Sequence, residues 1–169
     1  GFASEQWDFG DGATATGCCP THRYTVDRDY TVRLTVTTLL GRTASTSQVV
    51  HVRTHDVAIT KLSVPQSATT GQTRQITVGV KSTRYPETVQ IQLLKSAAGG
   101  SFEQIAVLTQ SVPVRGGNRT TAFNFSYTFT GADAAIGKVT FRAIAGLISA
   151  RDALPADYEV IALPTRVSR

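Results

Sequence analysis

Apolar and polar residues alternate at every second position along most of this chain, the period of a β-strand with one face buried. Tyr30, Val32, Leu34 and Val36 share one face, with Thr31, Arg33 and Thr35 between them. Leu40-Gly41-Arg42 reads as a turn, and Thr43 to Val52 as the returning strand, whose last apolar residues are Val49, Val50 and Val52. Upstream, Trp7 and Phe9 alternate with Asp8, and Gly10-Asp11-Gly12 then supplies a tight reversal. This places Trp7 in a core. The alternation stops at Arg53-Thr54-His55 and restarts at Asp56-Val57-Ala58-Ile59, so residues 53–55 read as a short linker between two modules.

The second module has its own series of strands. Val57, Ile59 and Leu62 lead to Pro65, and Thr70-Gly71-Gln72 makes a turn. Ile76, Val78 and Val80 share a face, as do Val89, Ile91 and Leu93. Ser96 to Ser101 is a small-residue loop, followed by Ile105, Val107, Val112 and Val114. Arg115 to Asn118 turns the chain into Phe123, Phe125, Tyr127 and Phe129, whose strict period of two predicts a buried sheet face. Gly131 to Gly137 leads to Val139, Phe141, Ala143 and Ala145, and Tyr158, Val160 and Ala162 close the series. Strands at this spacing predict an all-β fold of two tandem immunoglobulin-like sandwiches, the second over residues 56–163, with 164–169 as a C-terminal tail.

Composition narrows the class. Charged residues make up 17% and apolar ones 41% of the 169 residues, which suits neither a disordered nor a membrane-spanning chain. No apolar run approaches the roughly 20 residues of a transmembrane helix, so no membrane insertion is expected in this segment. Gly1 stands where an initiator methionine would, and methionine is absent, so the chain reads as an internal or processed piece of something longer. The net charge of +5 is spread over single arginines such as Arg33, Arg53, Arg74 and Arg142. Without a basic run or a basic-aromatic platform, nucleic acid is not an expected partner.

Trp7-Asp8-Phe9-Gly10-Asp11-Gly12, then Thr21-His22-Arg23-Tyr24-Thr25 and the strand Tyr30 to Val36, together resemble the PKD domain, an immunoglobulin-like module of extracellular proteins. Such a sandwich has about 100 residues. Residues 1–52 therefore read as a partial PKD-like module without its opening strands. Asp56-Val57-Ala58-Ile59-Thr60, Val64-Pro65, Thr70-Gly71-Gln72 and the closing Leu154-Pro155-Ala156-Asp157 resemble the bacterial cell-adhesion-related domain CARDB. The fallback for this module is a generic fibronectin-type or immunoglobulin-like sandwich.

The resemblances imply a secreted or cell-surface location and a non-enzymatic structural or adhesive role in a surface protein, fibre or filament. The alternative is an accessory, substrate-binding region of a secreted hydrolase. Expected partners are other surface-protein subunits and cell-surface or matrix glycans. A homopolymer formed by strand donation is a further expectation, because a shortened first module would leave an open edge and Ala162 to Arg169 could supply the donor.

The motifs that could carry chemistry are few. Asp8-Phe9-Gly10 matches a kinase tripeptide by letters alone, without the catalytic or glycine-rich loops that give it meaning. Asp8 and Asp11 are weak calcium candidates, lacking the regular acidic series of a calcium loop. His22, His51 and His55 make no zinc site: an extended strand would hold the last two more than about 10 Å apart, and no Cys-x-x-Cys accompanies them. Neither a nucleophile elbow nor a zinc-protease helix is present, so no catalytic residue is assigned.

Cys18-Cys19, the chain's only cysteines, cannot staple a distant strand. They stand as free thiols, a vicinal redox-sensitive ring, or covalent links to neighbouring chains. Asn118-Arg119-Thr120 and Asn124-Phe125-Ser126 fit the acceptor pattern for glycosylation, with Asn118 in a turn and Asn124 on an outward strand position.

Overall fold

The computed structural model describes residues 2–148 and 157–169. The chain forms two compact units, residues 1–54 and 55–169. The first holds β1 (Phe2–Asp8), β2 (Thr14–Thr16), β3 (Asp29–Thr38) and β4 (Thr43–His51) in one antiparallel sheet of order β2-β1-β3-β4. Glycine shapes its first reversal. Gly10 has φ of +78°, and a Cβ there would lie 2.6 Å from the Thr31 carbonyl oxygen, so both the backbone conformation and the close approach of β3 require a residue without a side chain.

Register fixes which residues share a face. Trp7 is opposite Leu34, Tyr30 opposite Val50 and Val32 opposite Gln48, so Trp7, Tyr30, Val32, Leu34, Val36 and Val50 line one side of this sheet. Among the described apolar residues of the unit only Phe9 and Tyr30 are buried. Trp7, Val32, Leu34 and Val36 are half-buried, and every residue of β4 is exposed. The expectation that Trp7 is a core residue is corrected here: alternation puts it on the apolar face, but among the described residues of its own unit no second sheet lies against that face.

The second unit contains β5 (Val57–Ser63), β6 (Ser67–Thr69), β7 (Thr73–Ser82), β8 (Glu87–Ser96), β9 (Phe102–Val112), β10 (Thr121–Thr128), α1 (Gly131–Ile136), β11 (Lys138–Val139), β12 (Phe141–Leu147), β13 (Glu159–Ile161) and β14 (Thr165–Ser168). These make a sheet of order β13-β12-β8-β9, a second of order β10-β7-β5, and a third of order β11-β14-β6. Val89, Ile91 and Leu93 on β8 and Phe141 and Ala143 on β12 form one wall of the core. Ile76, Val78 and Val80 on β7 and Phe123 and Phe125 on β10 belong to the same core cluster. The aromatic stripe of β10 is a sheet face turned inward, with Phe129, Tyr127 and Phe141 packed edge to face. The fold class is thus all-β and immunoglobulin-like.

Two differences from the sequence expectation concern the ends of elements. Gly131 to Gly137, to which the period of two assigns no element, contains a short helix. Thr130 caps it through a capping box with Asp133, and Gly137, at φ of +80°, ends it. The C-terminal segment is not a tail outside the sandwich. β14 pairs in parallel with β6 and antiparallel with β11, burying Thr165 and Val167, so residues 165–168 have strand partners within the unit and are not a free donor strand. Leu154, Pro155 and Ala156 of the expected closing turn lie outside the described residues, while the Asp157 carbonyl accepts the Ile59 N–H at 2.9 Å.

Each core should respond to its own substitutions. Phe123→Ala removes a fully buried ring and is expected to cost residues 55–169 about 3–5 kcal/mol in urea unfolding followed by circular dichroism. The transition reported by Trp7 emission should not move. A matching shift in both signals would show one cooperative core.

Candidate functional site

The first unit gathers its polar and aromatic residues at the Asp8 to Ala13 reversal. Asp8 Oδ1 accepts the Gly10 N–H at 2.9 Å and Asp11 Oδ1 accepts the Ala13 N–H at 3.0 Å, so each carboxylate spends one oxygen closing the turn. The other Asp11 oxygen, Oδ2, lies 2.7 Å from His22 Nε2. That contact ties the reversal to the segment carrying Tyr24 and Tyr30. His22 stacks on Phe9 with centroids 4.2 Å apart, Tyr24 meets His22 edge-on, and Tyr24 and Tyr30 stack at 4.0 Å. The Tyr24 hydroxyl donates to the Phe9 carbonyl. The Tyr30 hydroxyl donates to the Val26 carbonyl four residues upstream, as in a tyrosine corner. Arg28 covers the Tyr30 ring and donates to the Gly10 carbonyl.

This arrangement holds a fold together. Asp8 and Asp11, the calcium candidates, act as turn-closing acceptors. Among the described residues no group of three or more His, Cys, Asp or Glu side chains is placed to hold a metal ion. His51 bonds Asp29 in the first unit, and His55 bonds the buried Glu87 in the second. Arg53 also reaches Asp29, and the Thr54 N–H and hydroxyl both donate to Asp27. Of the sequon asparagines, Asn118 is exposed in its turn, and Asn124 is exposed mid-strand with its side-chain oxygen accepting the Thr77 hydroxyl. Cys18 and Cys19 are both exposed free thiols.

Sequence reasoning missed a charged cluster in the second unit. Lys95 Nζ sits 2.9 Å from Asp133 Oδ1, and the lysine side chain is 14% exposed against 1% for the aspartate. Asp133 Oδ2 accepts the Tyr127 hydroxyl at 2.7 Å and the Thr130 N–H at 2.8 Å, and Glu103 is 3.1 Å from the same ammonium. Burial alone would raise the Asp133 carboxyl. The Thr130 N–H, the Lys95 ammonium and the two hydroxyls outweigh it and hold the group below the usual carboxylate range. Burial alone would likewise lower Lys95, but Asp133, Tyr127 and Glu103 hold it above the usual lysine range. The pair joins α1 to β8. Thr130-Gly-Ala-Asp133 carried the one legible signal, a capping box.

Residues 2–53 match the family model described as PKD domain. Over 61 residues, 36% of this chain, the sequence is 45% identical to the microbial collagenase of Vibrio alginolyticus, and the match spans 7% of that protein's length. The crystal structure of a CARDB domain from Pyrococcus furiosus, solved in complex with di-metal ions, aligns with a TM-score of 0.52 at 12% identity, covering 68% of this chain and 89% of that one. Fibronectin(III)-like modules of Clostridium thermocellum align with a TM-score of 0.42 at 12% identity, covering 98% and 76% of the two chains. The CARDB likeness shows a shared fold.

The turn cluster has a pH signature. His22 and then the Ala13 N–H hold the Asp11 carboxyl below its ordinary value of 3.8. A carboxyl depressed in the folded state adds stability above its ordinary value, and that contribution is lost as pH falls through the folded value. Carbon-detected NMR titration should give Asp11 a midpoint below 3.8, and His22→Ala should raise it. A midpoint unchanged by His22→Ala would contradict the role assigned to the histidine.

Proposed function

We propose that this chain is a non-catalytic accessory segment of an extracellular protein, one that holds a neighbouring catalytic domain against a polymeric substrate. The observation that carries the reading is the 45% identity over 61 residues to a microbial collagenase, of which the match spans 7%. A match of that extent is to one module of a larger enzyme. The PKD match over residues 2–53 supports the same reading, since modules of this family serve as spacers, adhesive units and accessory binding domains. The ion pairs and turn-closing carboxylates described above use their polar groups to brace the fold, which suits a module whose work is done by its surface.

A second reading has its own observation. The apolar face bearing Trp7, Val32, Leu34 and Val50 and the exposed edge strand β4 suit a structural or adhesive subunit that joins other surface-protein subunits. Glycans of a cell surface or matrix would be partners under either reading.

Depletion assays separate the two. The chain is incubated with insoluble fibrillar collagen, chitin and cellulose, and the protein left in solution is measured while light scattering follows self-association. Saturable retention on one polymer by a monodisperse chain is the expected result. Assembly into multimers with no retention on any polymer would favour the subunit reading, and neither retention nor assembly would overturn both.

A further inference from the structure

Cys18 and Cys19 follow the edge strand β2 directly, and the backbone that leads into them is fixed. The Gly17 N–H donates to the Glu5 carbonyl at 3.1 Å, and the Gly17 carbonyl accepts the Trp7 indole N–H at 2.9 Å. Gly17 takes a φ of +102°, which turns the chain out of the β1–β2 ladder. Both thiols are exposed, and they are neighbours in the chain. They are the chain's only cysteines.

We propose that Cys18-Cys19 is a thiol–disulfide exchange site that reacts with low-molecular-weight disulfides of the glutathione class and closes on itself as a vicinal disulfide. In the first step the Cys18 thiolate attacks one sulfur of the small disulfide. Its S–S bond breaks, a mixed disulfide forms on Cys18, and one small thiolate leaves with the electron pair to take up a proton. In the second step Cys19 loses its proton and attacks the Cys18 sulfur, closing the ring and expelling the second small thiolate. The cysteines together are oxidised by two electrons, and the small disulfide is reduced to two thiols. Cys19 acts second in this sequence, its thiol being pushed up by Cys18 beside it, then by burial and the charge of Glu5.

Proximity favours ring closure over linkage to another chain and works against the strain of joining neighbours. A resolving thiol one residue away acts at an effective concentration on the order of millimolar or more, which a second chain at micromolar concentration does not match. Strain decides what kind of bond results. Neighbouring Cα atoms are about 3.8 Å apart, whereas ordinary disulfides place them roughly 4.4–6.8 Å apart. A strained and exposed disulfide has the more oxidising potential of a labile, regulatory bond, so the ring should open and close with the thiol balance of the surroundings.

The test incubates the reduced chain with oxidised glutathione and follows it by intact mass, non-reducing electrophoresis and the emission of Trp7, the chain's one tryptophan. The expected product is a monomer lighter by two hydrogens that resists alkylation and is restored by dithiothreitol. Its Trp7 emission should differ from the reduced form, because the indole's partner carbonyl belongs to Gly17, next to the ring. Cys19→Ser should stop at a stable glutathione adduct. Covalent dimers of the native sequence, a persisting adduct on it, or thiols that remain alkylatable would each overturn the proposal.

Discussion

A β-sheet with one apolar side must lay that side against something, and this constraint organises both units of the chain. In the second unit it is met internally. The inner faces of β8 and β12 and those of β7 and β10 contribute to one core, and Val78, Val80, Val89, Ile91, Leu93, Phe123 and Phe141 are sealed from water. The first unit has the same alternation and the same strand pairing, but a single sheet. Its order comes from hydrogen bonds, tight turns and the stack of Phe9, His22, Tyr24 and Tyr30 at one end.

That contrast explains where the polar groups are used. In the first unit, Asp8, Asp11, Tyr24, Tyr30 and Arg28 all bond to backbone around the reversal, substituting local bracing for a two-sided core. In the second, the Lys95 and Asp133 pair joins the capped helix to β8 at the border of a full core. Both sets use their polar groups to brace the fold, and what lies open is a strand edge, the apolar face of the first sheet and an exposed pair of thiols.

Much of this was legible in the chain. The faces of β7, β8, β10 and β12 follow from a period of two, because each strand has one side buried. The Asp8 to Gly12 reversal follows from its glycines and aspartates. Other features depend on partners distant in sequence. The half-burial of Trp7 was not legible, since alternation tells which side of a strand is apolar and not whether a second sheet covers it. β14 was read as a tail because Pro164 interrupts the pattern and four residues give too short a run, yet its pairing with β6 across about a hundred positions buries Val167. The helix was missed because six residues make too little of a 3.6 period to count. Asp133 has a local signature in its capping box, but Lys95 could be matched to it only in three dimensions.

Hydrogen exchange tests the central claim, that the second unit closes its apolar faces within itself and the first does not. Mass spectrometry of the intact chain should show strong and lasting protection of the amides in β7, β8, β10 and β12, with β3 and β4 exchanging orders of magnitude faster through local opening. Equal protection of β3 and β4 with the second unit's core strands would contradict the account, since it would require the face of Trp7, Leu34 and Val50 to be sealed as firmly as a complete sandwich.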